Sequence, residues 1–389
     1  MKHNEKQGYR KFNVINTHFH YLNPQKIEQT VSIYRFLKEY YEYEALGLLS
    51  IVDCGHRHND VTSNARGLYI KARLNEEMPG SCYVYAAPRH YYDERDTEDG
   101  YLLQAEAIYE AGFDGFKSLD GKATQRKSLG KPLCDPVFDK MFGYFERMGF
   151  PIKMHVADPR KYWGPKEEMT EMAIKRGWWY GDGSYPSFET IHSEVRGIME
   201  KFPKLKFCMA HMGYLTDDPA AWESWLTDYE NTSYDLTPGT ATFVFFAKEP
   251  GLWRGLMEKY ADRIFFGTDT YNQLDDSEED VRRGELKNTS VRHNVVRSGL
   301  ELDPSISIDL GQLGIGKSLG LPDSALESIY SLGFKALHSG SPREVNAAAA
   351  LCEVEKARGE LLSGELPIAE DEVKLELENL EVIEKYFSK

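Results

Sequence analysis

The chain has 389 residues and carries 62 acidic against 47 basic side chains, a formal net charge of −15. That balance argues against nucleic acid or an anionic membrane as partner, because both attract basic surfaces. No apolar run approaches the ~20 residues that a bilayer crossing needs, and the opening Met1-Lys2-His3-Asn4-Glu5-Lys6 is charged with no apolar core behind it, so a cytoplasmic protein acting on a small molecule is expected. Its five cysteines are scattered without a C-x-x-C, which suggests small buried hydrophobes over a disulfide framework or thiolate site.

In chain order, the first element is the apolar run Asn13 to His20, ending in Asn16-Thr17-His18-Phe19-His20. In a strand, residues i and i+2 share a face, so His18 and His20 can reach one cation together. Asn23 and Pro24 then open a helix with Ile27, Val31, Tyr34, Leu37 and Tyr41 on one face. Leu46 to Asp53 is continuously apolar, as in a strand buried on both sides. Similar strands are expected at Cys82–Ala87, Gly115–Leu119, Pro151–Val156, Leu205–Ala210, Thr232–Leu236 and Ile264–Thr268. Helix-like sequence separates them. The clearest helix opens at Asp135-Pro136, carries Val137, Met141, Phe145 and Met148 at helical spacing, and stops at Gly149.

Eight strands, each followed by helical sequence, argue for an α/β fold of the (β/α)8 TIM-barrel type over an open doubly wound sheet. No glycine-rich turn follows the first strand, and Gly314, Gly316 and Gly320 read as a late loop. The barrel is expected to occupy residues 1–342. Residues 343–389, rich in Ala, Glu, Leu and Lys, form a helical C-terminal extension expected to pack on the barrel or on a second copy in a homodimer.

Chemistry in such barrels sits at the C-terminal strand ends. His18, His20, His56, His58, His90, His155 and His211 all fall there, and Asp269 follows the eighth strand. His3, His192, His293 and His338 fall in the leader or in helices, where solvated side chains are expected. Four imidazoles, His18, His20, His155 and His211, with the Asp269 carboxylate at one mouth suggest a nitrogen- and oxygen-ligated divalent site with an open position.

Taken in this order, Asn16-Thr17-His18-Phe19-His20, Ile152-Lys153-Met154-His155, Phe207 to Gly213 and Asp262 to Asp269 resemble the amidohydrolase superfamily. Within it they resemble the branch that includes aminocarboxymuconate-semialdehyde decarboxylase and related metal-dependent hydrolases. The resemblance covers the barrel. It departs at Ile329 to Leu337, where the family's closing helix usually has an Asn and this chain has Gly333 or its neighbours. The resemblance implies that His18, His20, His155 and Asp269 hold one divalent metal, zinc first with manganese or iron as alternatives, while His211 contacts the water or substrate. Lys117 ends the fourth strand, where binuclear members carry a carbamylated lysine; a substrate anion is the other expectation for it.

The expected reaction is hydrolysis of a small, carboxylate-bearing molecule, with Asp269 and His211 as catalytic groups. Non-oxidative decarboxylation of an aromatic or dienoic acid is the competing expectation, since both reactions need the same ligands and an anion-binding cation. Lys117, Arg89 and Arg160 are expected to bind the anion, and Trp163, in an aromatic loop with Tyr162, Trp178, Trp179 and Tyr180, to cover the substrate. His56 and His58 are expected to face substrate or solvent.

Overall fold

A computed structural model describes residues 3–21, 25–50, 61–238, 240–271, 287–363 and 368–389. The apolar runs form parallel strands: β1 (Val14–His20), β2 (Tyr43–Leu49), β3 (Cys82–Ala86), β4 (Gly115–Gly121), β5 (Ile152–Val156), β6 (Phe207–Met209), β7 (Thr232–Asp235), β8 (Ile264–Phe265) and β9 (Thr270–Tyr271). Their order around the sheet is sequential, with β9 on β1 at one end and β8 on β7 at the other. The eighth strand of the barrel is thus split in two, its first half bonded to β7 and its second half to β1. The barrel is closed nearly all round, as eight βα repeats require.

The principal helices described are α1 (Ile27–Tyr40), α2 (Ser63–Glu77), α3 (Glu98–Glu110), α4 (Asp139–Met148), α5 (Phe188–Lys201), α6 (Pro219–Asp228), α7 (Pro250–Lys259), α8 (Lys287–Glu301), α9 (Ala347–Leu362) and α10 (Glu370–Phe387). Local chemistry sets their ends. Thr97, Ser187 and Asp218 accept backbone N–H groups at the starts of α3, α5 and α6. Asp135 caps a 3₁₀ turn at Pro136–Phe138 that leads into α4, and Gly149 ends α4 at φ 59°. Met148, expected on the buried face of that helix, is exposed, and Phe142 takes its place in the core.

Inside the barrel, Ile15, Ala45, Leu49, Tyr83, Tyr85, Cys208 and Phe265 form a separate apolar layer closed by Phe334. Two expectations change. Residues 315–317, read as loop, pair with Ser307–Asp309 in an antiparallel hairpin. His3, His192 and His293, read as solvated, are buried: His293 bonds Tyr43 and Asn4, His3 bonds Asn294, and His192 bonds the carbonyls of Phe188 and Gly213. Partners on neighbouring elements, invisible to spacing along the chain, account for that burial. Asn23, Pro24, His56 and His58 lie outside the described residues.

Helices α9 and α10 pack on each other and on α2. Glu376 is buried and accepts from Arg66 Nη1 at 2.8 Å and Thr62 Oγ1 at 2.6 Å. Asn379 bonds the Ile27 N–H and the Gln25 carbonyl, tying α10 to the start of α1. Because one partner of a buried pair is left uncompensated when the other is removed, Glu376→Ala is expected to cost about 3–5 kcal/mol. Urea denaturation measures it. A loss below about 1 kcal/mol would mean that Arg66 reaches water once its partner is gone.

Candidate metal centre at the barrel mouth

Alternation along β1 turns His18 and His20 to the same side. His18 Nδ1 lies 2.8 Å from Asp235 Oδ2, and His20 Nδ1 lies 3.1 Å from the Leu49 carbonyl. Both partners only accept, so each Nδ1 carries the hydrogen and each Nε2 presents a lone pair. Those two Nε2 atoms are 3.0 Å apart, and each is 3.4 Å from Asp269 Oδ1. All three ligand atoms lie within 4.8 Å of one another.

Three electron-pair donors face each other there with no hydrogen between them. Burial pushes the His18 imidazole well below its ordinary value and lowers that of His20, so a proton is a poor remedy. Arg292 holds the Asp269 backbone carbonyl and lies 3.5 Å from Oδ2, leaving Oδ1 turned to the histidines. A divalent cation satisfies this donor set: two imidazoles and a carboxylate are what an open catalytic site offers.

Backbone strain supports the arrangement. Asp269 after β8, His211, Met212 and Tyr214 after β6, and Ala157 after β5 all have φ between 51° and 59°. Such residues cost of order 1–3 kcal/mol each and persist where surrounding structure over-determines them. Gly267 allows the close approach of β8 to β1, because a Cβ there would lie 2.5 Å from Thr237 Cγ2 and 3.0 Å from His18 Cβ.

The structure gathers three of the four expected ligands and sets His155 beside His211. His211 Nδ1 donates to the Thr237 carbonyl at 2.9 Å, and its Nε2 is 3.0 Å from His155 Nδ1. His155 Nε2 turns to Asp158, 3.4 Å away, which also accepts from Lys122 and Tyr180. Burial pushes the His155 imidazole down to about 3.

Of the expected anion-binding groups, Lys117 alone points its charge at the site without a partner. It is 1% exposed and its Nζ makes no hydrogen bond among the described residues. Arg89 is held by Glu353, by Glu360 at 3.2 Å and by the Val61 carbonyl at 3.0 Å, so helix α9 occupies its guanidinium. Arg160 is partly exposed and pairs with Glu189 and Asp217. Trp163 donates to the Pro186 carbonyl and packs on Tyr180 and Phe188, fastening its own loop. His90 is buried between Tyr101 and Asp120. Sequence reasoning missed Asp235, Lys153 and Arg292; for the first two the signal was a charge inside a buried strand, and for Arg292 helical spacing carries none.

Burial pushes the Lys117 ammonium down to about 8, from an ordinary ~10.4. Between those values the unfolded chain binds more protons, so stability rises with pH there; below pH 8 the cost of the buried charge is complete, about 3 kcal/mol. Metal-free Lys117→Met is therefore expected to be more stable than the parent at pH 7 and to lose most of that advantage by pH 10. Denaturant melts at both pH values measure it, and an equal gap at both would assign the change to packing alone.

Residues 15–289 match the family model described as amidohydrolase. Comparison with curated proteins gives no match. Among solved structures, one from Staphylococcus aureus described as an amidohydrolase aligns with TM-score 0.50 and 15% identity, over 84% of this chain and 100% of that one. The apo form of IDCase from Metarhizium anisopliae aligns with TM-score 0.50 and 13% identity, over 84% and 97%. These likenesses carry the fold. The family model spans well over half of the sequence, and the chain belongs to the amidohydrolase family.

Proposed function

We propose that the protein is a metal-dependent hydrolase of a small, carboxylate-bearing molecule, working at the C-terminal mouth of the barrel. The observation that carries this reading is the convergence of His18 Nε2, His20 Nε2 and Asp269 Oδ1, three acceptors without a hydrogen among them. Zinc is the first candidate because two imidazoles and one carboxylate are a catalytic zinc donor set; manganese and iron accept the same atoms. When bound, such a cation supplies Lewis-acid polarisation and brings the pKa of water towards ~7.

The chain's own groups have distinct roles in this proposal. Lys117 pairs with the substrate carboxylate, which satisfies its orphaned Nζ. Asp269 takes a proton at its carboxylate. His211, fixed through Nδ1 by Thr237, takes or returns a proton at Nε2. A second reading, decarboxylation of the bound acid, is supported by the same lysine: a buried ammonium beside the candidate metal ligands would hold a carboxylate against them.

Two measurements test the proposal. With a panel of carboxylic acids bearing amide or ester bonds and with aromatic acids, product analysis separates the readings, since hydrolysis splits the substrate and decarboxylation releases carbon dioxide. Hydrolysis of acids is expected, with their neutral analogues turned over poorly; equal turnover of neutral analogues would remove the carboxylate from the proposal. His211→Asn is expected to keep its metal while turnover falls by about 10²-fold or more. Metal loss in that variant would make His211 a ligand.

A further inference from the structure

Asp235, the last residue of β7, has a side chain fully shielded from solvent. Its Oδ2 accepts from His18 Nδ1 at 2.8 Å and lies 3.0 Å from Lys153 Nζ. Its Oδ1 accepts from the His211 backbone N–H at 2.8 Å and from Thr237 Oγ1 at 2.5 Å, with the Thr237 N–H at 3.4 Å. A carboxylate offers about four lone-pair sites. All are in use, so Asp235 has none left to bind a cation or take a proton. Lys153 is equally committed, since its three hydrogens meet Asp235 Oδ2, the Thr17 carbonyl at 2.9 Å and Thr17 Oγ1 at 3.1 Å.

We propose that Asp235, clamped by Lys153, is a positioning residue that locks His18 in its Nδ1–H tautomer and so aims the Nε2 lone pair at the cation. The inference rests on the metal-enzyme reading above for its last step only. Removing a charge from water is expensive, and β7 and β5 each bury one here to keep this pair together. The pair reaches further than His18. Through the His211 N–H the same carboxylate fixes the left-handed turn after β6, so one group orients a ligand from β1 and a proton carrier from β6. His20, by contrast, leans on the neutral carbonyl of Leu49.

An asparagine at this position has one oxygen and one NH2. Two donors, the His211 N–H and Thr237 Oγ1, need that oxygen, which leaves the NH2 facing Lys153 and His18 Nδ1. In that orientation His18 accepts at Nδ1 and carries its hydrogen on Nε2, pointing into the ligand cluster. Two readouts on full-length protein follow. In metal-free protein labelled with ¹⁵N-histidine, His18 is expected as Nδ1–H in the parent and as Nε2–H in Asp235→Asn. In competition with a chelator, Asp235→Asn is expected to bind zinc 10–100-fold more weakly, the usual effect of losing a partner behind a ligand.

A weaker affinity with the tautomer unchanged would mean that Asp235 is structural only, and would overturn the proposal. So would zinc binding within threefold of the parent. Should Asp235→Asn fail to fold, the tautomer of the parent decides alone: Nε2–H there contradicts the inference. That spectrum needs no metal, so a parent that takes up no zinc would refute the metal-enzyme reading while leaving the positioning role to be judged by the tautomer.

Discussion

Two imidazole nitrogens and a carboxylate oxygen, all presenting lone pairs, are held against one another at the mouth of the barrel. Like dipoles and charges at such distances repel, and burial removes both water and the proton as remedies. Much of the local structure serves to impose this contact. The eighth strand splits so that β9 can pair with β1 and bring Asp269 to His18 and His20. Gly267 leaves room for the approach. Left-handed residues after β5, β6 and β8 turn the chain sharply where histidine and aspartate must face inward.

The charges buried around this contact come in compensating sets. Asp235 is matched by Lys153 and by donors from His18, His211 and Thr237. Burial pushes the Asp158 carboxyl up, but the Lys122 ammonium and His155 outweigh it and hold it low. Lys117 is the exception, a buried ammonium with no hydrogen-bond partner among the described residues, in a chain of net charge −15. An unmatched cation beside the candidate metal ligands creates a local positive potential that the distant acidic surface screens poorly. That contrast between surface and site is what supports the proposal of a carboxylate substrate.

The barrel was readable from the sequence because parallel strands buried on both faces leave continuous apolar runs, such as Leu46–Leu49 and Cys82–Ala87, whose spacing survives any side-chain detail. His18, His20 and Asp269 were readable for a related reason: they sit at strand ends, where a polar residue has no packing role. Position along the chain could not tell which cations are occupied. Arg89 and Arg160 follow β3 and β5, and Lys117, expected at a strand end, lies within β4; yet Glu353 and Glu360 of α9 take the first and Glu189 and Asp217 the second. Those partners lie up to some 270 residues away. Asp235 escaped notice because Thr232-Ser233-Tyr234-Asp235 reads as an ordinary polar strand end, and its meaning depends on Lys153 and His18 arriving from β5 and β1.

The account stands on a cation at His18, His20 and Asp269, and anomalous diffraction from a crystal grown with zinc tests it most directly. Data collected on either side of the zinc absorption edge are expected to give one strong anomalous peak per chain, at ~2.0–2.2 Å from His18 Nε2, His20 Nε2 and Asp269 Oδ1. A fourth contact from His155 would mean that this side chain swings from His211 on loading. A map with zinc elsewhere on the surface and none between these three side chains would contradict the account.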